Sequence, residues 1–389
     1  MVLLEAFQHE ADVTLLTGAP VEIARLNRAY HTAVDEDRLA VSRLAMPKLF
    51  REAPFGDEVR GSFLDRRART VGKDYDLCVS AYNFVDFGRP SIQFVADFSW
   101  DDEVRNESDL GSMGLARLVQ RPGLTRDAYL ALAGLIRGGR GRAKPHARDI
   151  LVANSHWSAE LMSQRHGLAS RVIYPPVYAP PACAGERSGD FVLLGRISPE
   201  KRVLEAMDVL SRVRERGHRS CLHIIGDLDG SAYSAQVRSA AESHGDWVRL
   251  HGGLYGPAKF AELAKHSFAL HTRRQEAFGI AVAEMVKSGL VPFVYTGGAP
   301  AEIIDEERLI FSSPDHAVDI IDRVMRDGAQ LAGIRQHLRG RAALFSKEIF
   351  VRAVRGLFDE ALRTGSVQAE AGVLQAACTA ACRSPFTRP

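Results

Sequence analysis

Apolar residues in the second half of the chain form short runs, and stretches with helical spacing lie between or after them. The predicted strands are 191–194, 221–225, 247–250, 268–271 and 291–295. The predicted helices are 203–216, 233–244, 257–266, 279–288 and 315–326. This alternation predicts a doubly wound parallel sheet, which binds ligands at the carboxyl ends of its strands.

The first half has a similar but less regular pattern. The predicted strands are 12–17, 75–81, 91–95, 149–153 and 171–174. Residues 2–9 have helical spacing, although a domain of this type normally opens with a strand and a Gly-rich turn. We therefore expect the first domain to lack its opening strand. Either the true start of the chain lies upstream of Met1, or the sheet is completed in another way.

Composition divides the chain further. Residues 178–189 are rich in Pro, Gly and small residues, which predicts a linker between a first domain at 1–177 and a second at 190–348. Apolar residues at helical spacing predict a C-terminal helix over 349–365. The small-residue-rich segment 366–389 is weakly patterned, and we expect a mobile tail there.

The 389 residues suit two domains, because single cores stop growing at roughly 250–300 residues. The composition, 46% apolar and 25% charged, is that of a globular protein. A net charge of +2 argues against a nucleic-acid binder. The chain lacks a long apolar span, a signal-like start and a paired cysteine framework, so a cytoplasmic protein is expected.

Candidate chemistry concentrates around the start of the helix at 279–288. Gly279 lets the backbone approach an anion, and the free N–H groups of a helix start suit a phosphate. Glu284 lies about 7–8 Å further along the axis, a plausible step from a diphosphate to a ribose. Glu276 precedes the helix, where it can accept hydroxyls of a sugar. The alternative is that both glutamates are solvated beside an ordinary core helix.

A second turn of the same sheet favours the ligand-binding alternative. Gly195 follows the first strand of the second domain, and Arg196 and Lys201 lie just beyond it. In a doubly wound sheet this turn shares an edge with Gly279, so both cations are predicted to clamp one diphosphate.

At these positions the chain resembles the retaining GT-B glycosyltransferases often numbered family 4. The resemblance covers the second domain and two short stretches of the first. The matching elements are Gly195-Arg196, Glu200-Lys201, Ile225-Gly226-Asp227, Glu276 with Glu284, Gly297-Gly298 before Glu302, Asn154-Ser155 and Tyr174-Pro175-Pro176-Val177.

The resemblance implies a GT-B fold, in which two Rossmann-like doubly wound domains face each other across a cleft. It also implies that a hexose is transferred from a UDP- or GDP-linked donor to an acceptor hydroxyl with retention of configuration. No metal or other cofactor is expected. The acceptor is expected to be a sugar, a lipid-linked glycan or a small molecule.

Residue roles follow from the same resemblance. Arg196 and Lys201, after Gly195, would hold the diphosphate, and Glu276 would hold the donor hexose. Glu284 would bind the ribose. Two further assignments place Asp227 near the nucleobase and the backbone of Phe278, Gly279 and Ile280 around the phosphate.

The chain departs from the family pattern in the first domain. Family members usually carry a histidine after a strand there, facing the donor sugar, whereas this chain has Ala96. Asp97 either substitutes for that histidine in catalysis or caps a turn. This departure keeps a catalytically inactive nucleotide- or sugar-binding scaffold as the alternative function.

An Asp-x-Asp motif, three histidines and a basic segment favour structural roles. Asp227-Leu228-Asp229 resembles a metal motif of a different glycosyltransferase fold, but here it follows a strand of the nucleotide-binding sheet. His251, His266 and His271 flank strands and are expected to be packed or solvent-facing. The basic segment 137–144 predicts a solvated loop, or else contact with an anionic acceptor or a membrane surface.

Overall fold

The structure is a computed structural model that describes residues 1–52, 57–107, 123–139, 143–180, 185–363 and 375–379. It contains two parallel sheets, each with helices in its crossover connections. This is the two-domain α/β architecture that the sequence pattern predicts.

The first sheet has seven strands, and all neighbouring strands run parallel. In spatial order the strands are β2 (Leu39–Arg43), β1 (Asp12–Thr17), β13 (Gln375–Thr379), β3 (Leu77–Ser80), β4 (Ile92–Val95), β5 (Ile150–Ala153) and β6 (Arg171–Val172). The helices of this half are α1 (Val2–Phe7), α2 (Ile23–Tyr30), α3 (Lys48–Glu52), α4 (Asp57–Val71), α5 (Asp102–Glu107), α6 (Leu124–Arg137) and α7 (His156–His166).

The second sheet has six parallel strands. In spatial order they are β12 (Ile310–Phe311), β11 (Val291–Tyr295), β10 (His266–His271), β7 (Ser188–Leu194), β8 (Leu222–Ile225) and β9 (Val248–Gly252). The helices are α8 (Val203–Glu215), α9 (Ala232–Ser243), α10 (Gly256–Leu263), α11 (Ile280–Lys287), α12 (Ala299–Ile304), α13 (Pro314–Arg326), α14 (Gly328–Ala343) and α15 (Lys347–Arg363). The strand order reverses beside β7, which places β7 and β10 side by side at the centre.

The C-terminal strand β13 occupies the middle of the first sheet. It pairs with β1 on one side, where Thr14 faces Ala377, and with β3 on the other, where Cys78 faces the same residue. The prediction of a mobile tail over 366–389 is therefore wrong for residues 375–379. This strand fills the predicted gap in the first sheet, since its backbone groups pair with β1 on one side and β3 on the other.

Helix α15 brings the chain back from the second domain to the first. The ring of Phe358 stacks on Phe7 of α1 with centroids 4.2 Å apart, and Phe350 packs near Phe94 of β4. Val354 lies between them in the same core. This helix delivers the chain to β13, so both ends of the sequence contribute to the first domain.

The basic segment 137–144 differs from its prediction at its first residue. Arg137 ends α6 with its side chain buried, and its Nε lies 2.6 Å from the Asp65 carboxylate of α4. Arg137 is therefore an internal ion-pair partner and not part of a solvated loop, while residues 140–142 lie outside the described residues. Among the helices described here, none is both long enough and apolar enough to cross a bilayer.

Candidate functional site

The carboxyl ends of β7 and β10 form the centre of the candidate site. Gly195 follows β7 with a φ of +148°, a left-handed conformation that favours glycine. The loop after it leads to Lys201, whose side chain is buried beneath the turn. Thr272 follows β10, and its hydroxyl donates to the Lys201 carbonyl at 2.7 Å. The two loops are thereby tied together, as the doubly wound pattern predicts.

Lys201 and Glu276 form a buried ion pair at this edge. The Lys201 ammonium donates to both carboxylate oxygens of Glu276, at 3.0 and 3.2 Å. His271, the last residue of β10, places Nε2 2.6 Å from Glu276 Oε2, and Arg273 Nη1 lies 3.5 Å from Oε1. The side chains of Lys201, His271 and Arg273 therefore converge on one carboxylate.

The surroundings determine the charge of this carboxylate. Burial alone would raise the pKa of Glu276, but Lys201, followed by His271 and Arg273, holds it well below its usual range. Burial lowers the pKa of Lys201, and the attraction of Glu276 opposes that shift. The Glu276 carboxylate is therefore anionic at neutral pH and suited to accept hydroxyl groups.

Glycines hold the backbone of Glu276 in place. Gly298, the residue before α12, has no room for a side chain, since a Cβ there would lie 2.9 Å from the Glu276 N. The Ala299 N–H donates to the Glu276 carbonyl at 3.0 Å. Gly298 thus allows the close approach of two backbones.

Gly279 begins α11 in a left-handed conformation, with a φ of +98°. The first N–H groups bonded within this helix are those of Val282 and Ala283, which donate to the Gly279 carbonyl. The N–H groups ahead of them belong to the helix start, where an anion is stabilised. Ile280 is exposed beside this position, whereas the Phe278 ring is buried in the core against Tyr174.

Glu284 lies on the next turn of α11 and is paired with a residue that sequence reasoning missed. The Lys259 ammonium of α10 donates to Glu284 Oε1 at 2.6 Å. Burial raises the pKa of Glu284, and Lys259 opposes the shift. A ribose bound here would share the carboxylate with Lys259.

Asp227 also has a partner. Its carboxylate accepts from the Tyr255 hydroxyl, and burial together with Asp227 raises the pKa of Tyr255 to about 12. A Cβ on Gly253 would lie 1.9 Å from Asp227 Oδ1, so a side chain there would displace the Asp227 carboxylate. Arg196, in contrast, remains 74% exposed, with Nη2 3.6 Å from Glu200. The structure therefore brings Lys201 to Glu276 and leaves Arg196 at the open side.

Asp97 in the first domain is engaged by protein donors. Its carboxylate accepts from Tyr82, from Asn83 Nδ2 at 2.8 Å and from the Ser99 N–H at 3.0 Å. Burial alone would raise the pKa of Asp97, but Tyr82, Ser99 and Asn83 hold it below its usual range. These contacts are those of the turn-capping alternative, with Asn83 held at a φ of +57°.

The two domains are hydrogen-bonded directly beside the site. Ser155 Oγ and Ser158 Oγ both donate to the Ala277 carbonyl, at 2.7 and 3.0 Å. The first serine also caps α7 by accepting from the Ser158 N–H. The stretch between Glu276 and Phe278 is thereby attached to the first domain.

Glu302 of α12 completes this junction. Its carboxylate accepts the N–H groups of His156 and Trp157 at 2.9 and 3.0 Å, and the Tyr174 hydroxyl at 2.6 Å. A carboxylate of the second domain therefore caps the helix of the first, where the positive end of the helix dipole favours it.

Sequence reasoning missed His271, which was given a packed or solvent-facing role. Its ring is buried, yet its Nε2 donates to the Glu276 carboxylate at 2.6 Å, and so it belongs to the candidate site. The available signal was its position as the last residue of a predicted central strand, because ligands bind at that edge.

Comparison with known proteins bears on the family and the fold of this chain. Residues 184–342 match the family model of glycosyl transferases group 1. Solved structures extend the likeness over both domains. The Anabaena protein HepE, in complex with UDP and glucose, aligns with 92% of this chain and 95% of its own, with a TM-score of 0.61 and 16% identity. The fold is GT-B. The sequence-based fold prediction is confirmed.

Other solved structures of glycosyltransferases show the same likeness in fold. WaaG, a glycosyltransferase involved in lipopolysaccharide biosynthesis, aligns over 89% of this chain and 99% of its own, with a TM-score of 0.58 and 13% identity. A curated relative is the GDP-Man:Man(3)GlcNAc(2)-PP-Dol alpha-1,2-mannosyltransferase of Candida glabrata, 26% identical over 177 residues. That match covers 39% of this chain and 34% of the relative, so the chain spans about a third of the relative's length.

Proposed function

We propose that this protein is a retaining glycosyltransferase that moves a hexose from a UDP- or GDP-linked donor to an acceptor hydroxyl. The observation that carries the proposal is the buried Glu276 carboxylate, held by Lys201 and His271 beside the left-handed Gly279 helix start. The site offers a carboxylate for sugar hydroxyls and helix N–H groups for a diphosphate, within one edge of one sheet.

In this proposal each donor group has a place. The hexose hydroxyls bind Glu276, the diphosphate binds the N–H groups from Gly279 onward, and the ribose binds Glu284 beside Lys259. Arg196 is solvent-exposed and can turn towards the diphosphate. Lys201 contributes its charge from beneath Glu276. The backbone N–H groups and cations meet the charge that develops on the leaving diphosphate, without a metal.

The reaction breaks the bond between the anomeric carbon and the phosphate oxygen and forms one between that carbon and the acceptor oxygen. The acceptor proton passes to the departing phosphate. The UDP of HepE and the GDP-mannose named for the Candida glabrata relative support both donor classes. The named acceptor of that relative supports a lipid-linked glycan among the acceptors.

The alternative function is a catalytically inactive scaffold that binds a nucleotide or a sugar. Ala96 favours it, because a methyl group stands where a histidine would face the donor sugar. The capped state of Asp97 favours it as well, since that carboxylate is occupied by Tyr82 and Asn83.

A panel of UDP- and GDP-hexoses, incubated with the protein and candidate acceptors, separates the two functions. We expect free nucleoside diphosphate to be released with one donor class, and Glu276→Gln to reduce this release by at least about 100-fold. Glu306→Gln, a change of the same kind at a glutamate paired with Arg308, is the matched control. Tight nucleotide binding without release from any donor would establish the scaffold instead.

The stereochemistry of transfer is tested on the product. We expect NMR spectra of the new linkage to show the same anomeric configuration as the donor sugar. The opposite configuration would contradict retention while leaving the glycosyltransferase proposal intact.

A further inference from the structure

A group of three histidines and two carboxylates lies on the second domain, away from the donor edge. We call it the histidine cluster, and its members are Asp190, His223, His251, Glu262 and His266. Asp190 lies on β7 four residues before Leu194, about 13 Å along the strand from the carboxyl end. The strand β10 has His266 at its first residue and His271, in the donor site, at its last. The cluster is therefore separate from the donor site.

The register of neighbouring strands brings these side chains together. His223 of β8 pairs with Arg249 of β9, and the ring of His251, two residues further along β9, stacks on that of His223 with centroids 5.1 Å apart. The register of the two strands shifts at this point, which is typical of a bulge that redirects a side chain. Helix α10 crosses this face and adds Glu262.

Three of the nitrogen and oxygen atoms form a triangle of the size of a metal site. His223 Nδ1 lies 2.9 Å from His251 Nε2, and both lie 3.7 Å from Glu262 Oε1. A point in the centre of this triangle is about 2.0 Å from all three atoms, which is the distance at which Zn²⁺ binds histidine nitrogen and carboxylate oxygen. Two histidines and one glutamate also form a known zinc ligand set that leaves a fourth position open.

The neighbouring residues suit an outer shell. His223 is 4% exposed, and its Nε2 is buried without a hydrogen-bond partner among the described residues. Asp190 Oδ2 lies 3.6 Å from this nitrogen. A histidine that binds metal through one nitrogen usually offers the other to a carboxylate, which orients the ring. The orphaned nitrogen of His223 thus has the acidic neighbour that metal binding would use.

His266 and Lys265 hold Glu262 in a compatible position. His266 Nε2 is 3.2 Å from Glu262 Oε1, the ligand oxygen, and Lys265 donates to the other oxygen at 2.6 Å. The His251 side chain is 24% exposed, which gives an ion and a water molecule access.

We propose that the histidine cluster binds one divalent transition-metal ion of the Zn²⁺ class through His223, His251 and Glu262. Asp190 and His266 orient the ligands. The ion joins β8, β9 and α10, so its role is to stabilise the second domain and not to take part in sugar transfer.

Optical titration of the full-length protein with Co²⁺ tests this proposal. The protein carries no affinity tag and is first treated with a chelator, so that no other histidine cluster competes. We expect one Co²⁺ per chain with the visible bands of a four-coordinate ion, and displacement of the Co²⁺ by Zn²⁺. His251→Gln and Glu262→Gln are expected to weaken binding at least about 100-fold, and Asp190→Asn about 10- to 100-fold.

His9→Gln is the matched control, because His9 is an exposed histidine of the first domain. We expect it to bind Co²⁺ as the wild type does. Saturating Zn²⁺ should raise the melting temperature of the wild type and of His9→Gln by roughly 5 °C. Zn²⁺ should not raise the melting temperature of His251→Gln. Because His251 is partly exposed, we expect this variant to fold.

A wild-type protein that binds Co²⁺ no more tightly than His251→Gln would overturn the proposal. So would a wild-type melting temperature that Zn²⁺ leaves unchanged, a result that does not depend on whether any variant folds. Neither result concerns sugar transfer, so the proposed glycosyltransferase function is tested independently.

Discussion

Individual residues of the candidate site are linked by charge as well as by position. Glu276 and Lys201 come from loops after different strands. Burial disfavours the charge of each side chain, and the opposite charge of the partner opposes this effect. A buried ion pair gives little net stability, but removing one partner leaves an unpaired charge in a poorly solvated place. Because of this asymmetry, the interaction between the two side chains can be measured by removing one or both of them.

We expect Glu276→Gln to reduce the free energy of unfolding by about 3–5 kcal/mol, because Lys201 then loses its counter-charge. The double variant Lys201→Met with Glu276→Gln should be less destabilised than the sum of the two single variants. Urea unfolding of all four proteins measures this coupling. Strict additivity would show that the two side chains do not interact in the folded protein.

Asp97 provides a pH-dependent prediction. Its folded pKa lies below the ordinary value of about 3.9, so its contribution to stability is complete above that pH and is lost as the pH falls further. We expect Asp97→Asn to cost about 1–3 kcal/mol at pH 7, since its donors lose a charged acceptor. The difference between wild type and variant should shrink below pH 4 in acid unfolding experiments. A difference that is constant with pH would contradict the assigned ionisation.

At the scale of elements, the junction between the domains depends on one helix start. The N-terminus of α7 belongs to the first domain, yet Glu302 of α12 supplies two of the acceptors for its N–H groups. The resemblance singled out Glu302 beside the Gly297-Gly298 pair without a structural role. The structure shows that it ties the second domain to the first.

We expect Glu302→Ala to destabilise the protein by about 0.5–2 kcal/mol, the usual cost of losing a helix cap. Thermal unfolding measures the effect. Glu160→Gln is the control. Glu160 lies on α7, the helix that Glu302 caps, and in the contacts described it bonds only within that helix, to Gln164. Equal melting temperatures for Glu302→Ala and the wild type would show that this cap does not hold the junction.

At the scale of the whole molecule, both chain ends build the first domain. Helix α15 leaves the second domain and packs on α1, and β13 then enters the sheet between β1 and β3. Without β13 those two strands would face a gap in the middle of the sheet. The interior N–H and C=O groups there would lose their partners, which is costly in a buried sheet.

We expect deletion of residues 364–389 to unfold the first domain while the second keeps its fold. Limited proteolysis should then cut the first half rapidly and leave a resistant fragment that contains residues 188–343. Ala377→Pro should have the same effect in the full-length chain, because proline cannot donate in a central strand. Deletion of 380–389 alone is the control and should leave the first half resistant. An intact first domain in the 364–389 deletion would contradict the central position of β13.

Local pattern determined much of this protein. The alternation of short apolar runs and amphipathic helices was enough to predict two parallel sheets. Helices cover both faces of such a sheet, so its strands are apolar throughout. The rule that ligands bind at the carboxyl edge of such a sheet led to a candidate site at Gly195, Gly279 and Glu276. These features depend on residues close together in the sequence.

Only the tertiary structure decided which distant residues meet. Lys259 on Glu284, His271 on Glu276 and the capped state of Asp97 depend on how strands and helices lie side by side. The strand at 375–379 was missed because its partners are more than 290 residues away and it lacks an alternating pattern of its own. Pairing of backbone groups carries almost no signal in the local sequence, whereas burial carries a strong one. The sequence alone therefore determined the layers and the edge of the sheet that holds the candidate site, and the fold decided how the first sheet is completed and which charges face each other.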